Sequence, residues 1–233
     1  MTSIKNLPAG RQLTIAWGLT LGALAVMGVL IVTNLLALQS ASEALAREER
    51  LDSALVEAEF RLARQENSYR GYLLSAEPYY IARLETHRAE FKKSLEGARV
   101  DTPPAHRATI DQALQAADGW YRNIALAGQA LIAQGRFAEA EKLVDQIGVS
   151  DRYVEPVEGA INTLKEANAV ALEASRHAQV AASRNAVVTM TGGLAGAILM
   201  ALVISLATSR VIARSTFSMV GLMQKLRADE ATL

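Results

Sequence analysis

Two stretches without one ionisable side chain, Gln12 to Ser42 and Asn185 to Ser209, restrict this chain more than anything else in it. Each is longer than the roughly 20 residues an α-helix needs to cross a hydrocarbon core about 30 Å thick. A cleaved secretion signal fits the first stretch poorly, because the apolar core of such a signal runs only about 7 to 15 residues. A buried core helix fits the second poorly, because the rest of the chain offers no large apolar core to cover it. Two transmembrane helices are expected, at 13–38 and 187–208, which makes the lipid bilayer the first partner.

Charge at the flanks orients them. Lys5 and Arg11 precede the first span, and Arg210 and Arg214 follow the second. By the positive-inside rule both termini, 1–12 and 209–233, are expected in the cytoplasm of a bacterial inner membrane, with 39–186 on the periplasmic side. That middle portion holds 18 basic and 22 acidic residues between Glu43 and Arg184, and the whole chain balances 24 against 24. Neither balance draws the chain toward nucleic acid, so none is expected as a partner. The absence of cysteine fits a periplasmic domain held by packing alone.

Between the spans the alternating β-branched runs and Asn-Gly turns of a sheet are missing, while Ala, Leu, Glu and Arg dominate. Spacings of three and four give four seams. The first runs Ala41, Ala44, Glu48, Leu51, Leu55, Ala58, Leu62, Gln65, Tyr69, Tyr72, and the second Tyr80, Leu84, His87, Phe91, Leu95, Ala98. The third runs Ile110, Leu114, Ala117, Tyr121, Ile124, Gly128, Leu131, and the fourth Val154, Val157, Ile161, Leu164, Asn168, Ala171. Ser75 ahead of Pro78, and Thr102 ahead of Pro103, read as caps of the helices that follow. Gly135 should end the third helix, Phe137 to Ile147 should form a short one, and the fourth long helix should begin near Asp151 to Glu155. The expected fold is all-α: a membrane-anchored up-down-up-down four-helix bundle with two transmembrane helices, closed at its far tip by Tyr69, Tyr72, Leu73 and Tyr80.

No catalytic constellation, phosphate-binding glycine loop or metal-ligand spacing is present, so neither enzymatic activity nor a cofactor or metal is expected. Three polar residues interrupt the seams: Gln65, His87 and Asn168. A buried polar side chain costs about 1 to 3 kcal/mol unless hydrogen-bonded, so these either pair with each other, water or a dimer mate, rotate out to solvent, or serve a small-ligand or pH-responsive site in which His87 would titrate. Arg64 and Arg70 are candidates to grip a carboxylate, or else solvated helix-face arginines. Gly18 with Gly22, and Gly192 with Gly196, have the small-xxx-small spacing that lets membrane helices approach closely, a spacing that Ala- and Gly-rich spans also produce by chance.

At this point the residues resemble a known family. The run RGYLLSAEPYY, Arg70 to Tyr80, followed by the Leu and Phe pattern of the second seam, resembles the CHASE3 type of extracellular sensor domain. Trp120, the segment GRFAEAEKLV and the run ALEASR add to the likeness, which covers roughly 43–184. Where that family commonly carries two adjacent acids late in its last helix, this chain has Glu166, Ala167 and Asn168. IKNLPAGRQL before the first span is similar to the start of many methyl-accepting chemotaxis proteins. Following the other span, SRVIARSTFSMVGLMQKLRADE resembles the first helix of a HAMP relay, with Arg210 at its start and Met219, Met223 and Leu226 at its apolar positions. Ser215 stands where that module usually has proline, and Asp229-Glu230 where it usually has Gly-Asp.

The resemblance implies the sensing half of a chemoreceptor-like receptor, working as a homodimer on an unknown small-molecule or protein stimulus, with its cytoplasmic output module outside these residues. The alternatives are the sensor half of a histidine kinase or diguanylate cyclase, or an output-free membrane protein that pairs with a receptor.

Overall fold

The structure, a computed structural model, describes residues 9–145 and 149–230; of residues 9, 12, 13, 145, 211, 212 and 214–230 it describes the backbone alone. All regular structure among them is helical. The order is α1 (Ala9–Ser75), α2 (Pro78–Asp101), a 3₁₀ turn (Pro104–His106), α3 (Arg107–Trp120), a π-helical segment (Tyr121–Leu126), α4 (Ala127–Ala133), α5 (Phe137–Asp145) and α6 (Asp151–Glu230). The chain divides into two units: the described residues of Met1–Ser40 with Val180–Leu233, and Ala41–Gln179. Helices α1 and α6 contribute residues to both.

In the first unit, two helices are long and apolar enough to cross a membrane, and none of their most apolar windows is buried. Leu19, Val29, Leu36, Leu194, Leu199 and Leu206 all face outward. Left in water, that surface would cost about 25 cal/mol per Å², a penalty lipid removes. Several of its polar side chains are satisfied locally, as a hydrocarbon environment demands. Thr20 and Thr33 donate back to the carbonyls of Ala16 and Leu30. Asn34 donates to the Leu30 carbonyl and, at 3.3 Å, to Thr189 Oγ1 on the other span. The helices come close at Gly193, where an added β-carbon would overlap the Met27 methyl.

The second unit is a bundle of four helical pieces in alternating directions. Arg50 pairs with Asp101 and Arg61 with Glu90, so α2 runs antiparallel to α1. Arg99 to Asp111 and Arg88 to Asp118 set α3 antiparallel to α2. Lys165 to Glu59, with Asn168 to the Glu48 carbonyl, sets α6 antiparallel to α1. From the first, second and fourth seams Leu51, Leu55, Leu62, Leu84, Phe91, Leu95, Val157, Ile161 and Leu164 are buried in one contiguous core. The short α5 lies alongside, with Ala140 fully buried and Leu143 and Val144 packed on the core.

The third seam keeps Ile110, Ala117, Ile124 and Gly128 buried as expected and departs at its other positions. Ala113, Trp120 and Ile132 are buried in place of the adjacent Leu114, Tyr121 and Leu131. The π segment accounts for the later part of this shift, because its wider turn places both Ile124 and Ala125 in the core.

The turns also correct the reading of two caps. Ser75 is the last residue of α1, where its hydroxyl donates to the Gly71 carbonyl and accepts from the Glu77 amide, so Glu77 is the N-cap of α2. Ala76 takes a left-handed φ of 55° and returns its amide to the Tyr72 carbonyl. Thr102 ends α2 instead of starting α3: its hydroxyl donates 2.7 Å to the Ala98 carbonyl, and α3 begins only at Arg107, after the 3₁₀ turn. At Gly135 (φ +75°) the amides of Gly135 and Arg136 close onto Ile132 and Leu131, the double bond that ends a helix on a left-handed residue. Helix α6 begins at Asp151, so Pro156 falls within its second turn.

Candidate functional site

The polar residues of the seams lie at two separate levels of the bundle. Gln65 and His87 belong to the half nearer the α1–α2 turn. Asn168 bonds Glu48, which is 17 residues from Gln65 on α1, or about 25 Å along the axis. The structure therefore does not gather the three into one site.

Around Gln65 the packing is aromatic. Tyr69 meets Trp120 edge to face with ring centroids 6.0 Å apart, and both are buried. The Tyr69 hydroxyl rests on Gly128, where a β-carbon would overlap it. Burial, aided by Tyr72, pushes the Tyr69 phenol up to about 12. The Gln65 amide nitrogen and the Tyr69 hydroxyl have no hydrogen-bond partner among the described residues. Trp120 Nε1 donates 3.0 Å to Ser150 Oγ, tying α3 to the start of α6.

His87 sits among charges. A guanidinium can only donate, so the 3.1 Å contact from Arg61 Nη1 makes His87 Nδ1 the acceptor and leaves the proton on Nε2. Arg61 also pairs with Glu57 and Glu90, and the Glu90 carboxylate lies 4.0 Å from His87 Nδ1. Burial first, then Arg61 and Arg83, lower the His87 pKa against a smaller opposing pull from Glu90. A neighbouring network joins α2 to α3 and the π-helical segment; Tyr121 stood in the third seam, but its charged partners had no signal there. In it Tyr121 donates to Glu85, the Arg88 guanidinium stacks 3.8 Å from the Tyr121 ring centroid, and Asp118 takes both Arg88 and Lys92. Burial pushes the Asp118 carboxyl up, but the hydrogen bonds from Lys92 and Arg88 outweigh it and hold it below the usual carboxylate range.

Asn168, 3% exposed, lines a cavity of about 250 Å³. Its walls come from Glu48 and Leu51 on α1, the α2–α3 connection, and Leu164 and Ala171 on α6. Asn168 Nδ2 donates 3.0 Å to the Glu48 carbonyl, which fixes the amide's orientation, and Oδ1 is buried without a hydrogen bond. Thr102 and His106 complete the lining; the sequence offered Thr102 only as a helix cap and did not single out His106, because the connection that brings them here was read as the start of a helix.

The two arginines lie outside these sites. Arg64 is exposed and stacks 5.0 Å from the Phe60 ring centroid, and Arg70 is exposed with Glu66 at 3.8 Å. In the apolar unit, a β-carbon at Gly18, Gly22, Gly192 or Gly196 would meet open space within this chain. Arg210 is exposed on α6; Met219, Met223 and Leu226 lie on the α6 backbone, and their side chains are outside the described residues. Among the described residues no cluster of three or more His, Asp or Glu side chains is placed to hold a metal ion.

No curated protein and no solved structure matches the chain. The model of one family, the CHASE3 domain, matches residues 39–178, more than half of the chain and nearly the whole helical bundle with its aromatic corner and its Asn168 cavity. CHASE3 is an extracellular sensory domain found in receptors, and is sensory rather than catalytic. This chain, two of whose helices are long and apolar enough to span a membrane, belongs to the CHASE3 family.

Proposed function

We propose that the chain is the sensing half of a chemoreceptor-like receptor of the bacterial inner membrane. In this reading it forms a homodimer, holds Ala41–Gln179 outside and both termini in the cytoplasm, and passes a change in the bundle to a HAMP-like helix running from Arg210 through Met219, Met223 and Leu226. The observation that carries it is covalent. Two uninterrupted helices, Ala9–Ser75 and Asp151–Glu230, each supply a wall of the bundle and an apolar span. A stimulus acts only through a difference in affinity between two arrangements of the bundle. Any such difference in the packing of α1 against α6 is imposed on the spans. The basic flanks Lys5, Arg11, Arg210 and Arg214 support the orientation.

Two experiments test this. Because the chain lacks cysteine, single cysteines placed at Glu77, Arg11 and Arg210 report topology directly. An impermeant maleimide applied to intact spheroplasts should label Glu77→Cys alone, and labelling of either flank would overturn the orientation. A hybrid carrying a chemoreceptor signalling domain after Glu230 should change swimming bias when the bundle is perturbed. Response only in hybrids carrying a histidine kinase or diguanylate cyclase output would overturn the chemoreceptor assignment in favour of those outputs.

A further inference from the structure

We propose that the cleft between the end of α1 and α5 binds a small zwitterion with an apolar body, its negative end at Arg70 and its positive end at Glu141. This deepens the sensing role, and rests on it only for what the binding does. The cleft's volume, about 390 Å³, falls within the roughly 300 to 1,000 Å³ of small-molecule sites. Each helix gives it one stripe at three- and four-residue spacing: Arg70, Leu73 and Leu74 from α1, and Phe137, Glu141 and Val144 from α5. Two of the four apolar side chains are left bare, Leu74 at 89% exposure and Phe137 at 50%. A molecule that covers them removes apolar surface from water. The charges then select which molecule. Arg70 and Glu141 line the same cleft without pairing with each other. Arg70 has Glu66 of its own helix at 3.8 Å, beyond hydrogen-bonding distance, and Glu141 makes no ion pair among the described residues. An anion drawn by Arg70 is opposed by Glu141, a cation meets the reverse, and a neutral molecule engages neither; one molecule carrying both charges engages both. The cleft also has leverage, because α1 goes on to supply an apolar span, so a molecule held between α1 and α5 bears directly on that helix.

The chain has four phenylalanines, and only Phe137 lines the cleft, which allows a local readout. The full chain in lipid nanodiscs, labelled with ¹⁹F on its phenylalanine rings, is titrated with leucyl-leucine, its N-acetyl form, its C-terminal amide and glycyl-glycine, the Phe137 signal being assigned by its loss in Phe137→Leu. Leucyl-leucine should shift the Phe137 signal saturably at about 1 mM or tighter while Phe60 and Phe91 stay fixed. The acetyl form lacks the ammonium and the amide lacks the carboxylate, so each should bind about tenfold more weakly. Glycyl-glycine keeps both charges without the apolar body, and should also lose at least about tenfold. Arg70→Gln should weaken leucyl-leucine about tenfold and leave the amide within about twofold, while Glu141→Gln should weaken leucyl-leucine alike and leave the acetyl form within about twofold. Both positions are exposed, so neither change touches the core. The proposal is overturned by an absent or unsaturable Phe137 shift, by a capped dipeptide or glycyl-glycine binding as tightly as leucyl-leucine, or by charge effects that do not match their residue. A hybrid receptor that ignores leucyl-leucine despite Phe137-detected binding would overturn the link to sensing and leave the site standing. A working hybrid without such binding would overturn the site and leave the sensing role.

Discussion

The core layers at the two ends of the Ala41–Gln179 bundle are built from the same helical seams and packed differently. Near the α1–α2 turn, Tyr69 and Trp120 interlock over a glycine at 128 that leaves no room for even a methyl group, and Trp120 is pinned to Ser150. At the other end the corresponding layer is Leu51, Leu164, Ala171 and Asn168, and a cavity of about 250 Å³ reaches it; the turn end has a cavity of about 390 Å³, but between the end of α1 and α5, lined by Leu73, Leu74 and Phe137. Large rings against a glycine fill a four-helix layer, whereas alanines around one amide do not. The aromatic layer is thus suited to hold the bundle together, and the Asn168 layer to change shape at lower cost.

The sharpest way to break that contrast is at Trp120. Trp120→Ala should destabilise the bundle by about 3 to 5 kcal/mol, read from urea unfolding of the chain in detergent micelles by far-ultraviolet circular dichroism. A loss below about 1 kcal/mol would show that the aromatic end is not the stronger one. Next come two small-to-large changes expected to differ in sign. Gly128→Ala should cost about 1 to 3 kcal/mol because Tyr69 must move, while Ala171→Leu should stabilise by up to about 1 kcal/mol because it fills space. At the turn end, the two left-handed helix ends offer a smaller test. Gly135→Ala should cost about 1 kcal/mol, and Ala76→Gly should gain about 0.5 to 1 kcal/mol, since the alanine at φ 55° now bears the strain that glycine escapes.

The smallest expected effect is a pH slope. The pKa of His87 in the fold lies below that of the unfolded chain, about 6.5, so the unfolded state takes up the proton first. The stability held by neutral His87 is complete above that pH and is lost as the pH falls below it. In unfolding curves between pH 7 and 5, His87→Gln should flatten this decline. An unchanged slope would place its origin elsewhere.

What was legible in the sequence follows from what each residue needs to know about its neighbours. The spans could be read because the absence of charge over 12–42 and 185–209 is a property of the chain alone. The α1 seam could be read because Leu51 to Tyr69 keeps strict spacing. The third seam was read correctly at Ile110, Ala117, Ile124 and Gly128 and missed at Ala113 and Trp120, before the wide turn, and at Ala125 within it, where the backbone bonds that permit such a turn have no residue signature. Asn168 stood out as polar in an apolar row, but its partner is the carbonyl of Glu48, which any residue at that position would supply. Thr102 and His106 acquired their place from the α2–α3 connection, and Tyr121 its bond to Glu85 from a pairing across two helices.

The wide turn at Tyr121–Leu126 has a consequence for descent. A segment that already accommodates surplus backbone can absorb the gain or loss of a single residue by tightening or loosening, without rotating the remainder of its helix away from its neighbours. Insertions and deletions that would be fatal in α1 should therefore be tolerated there, so that relatives of different length keep the same core.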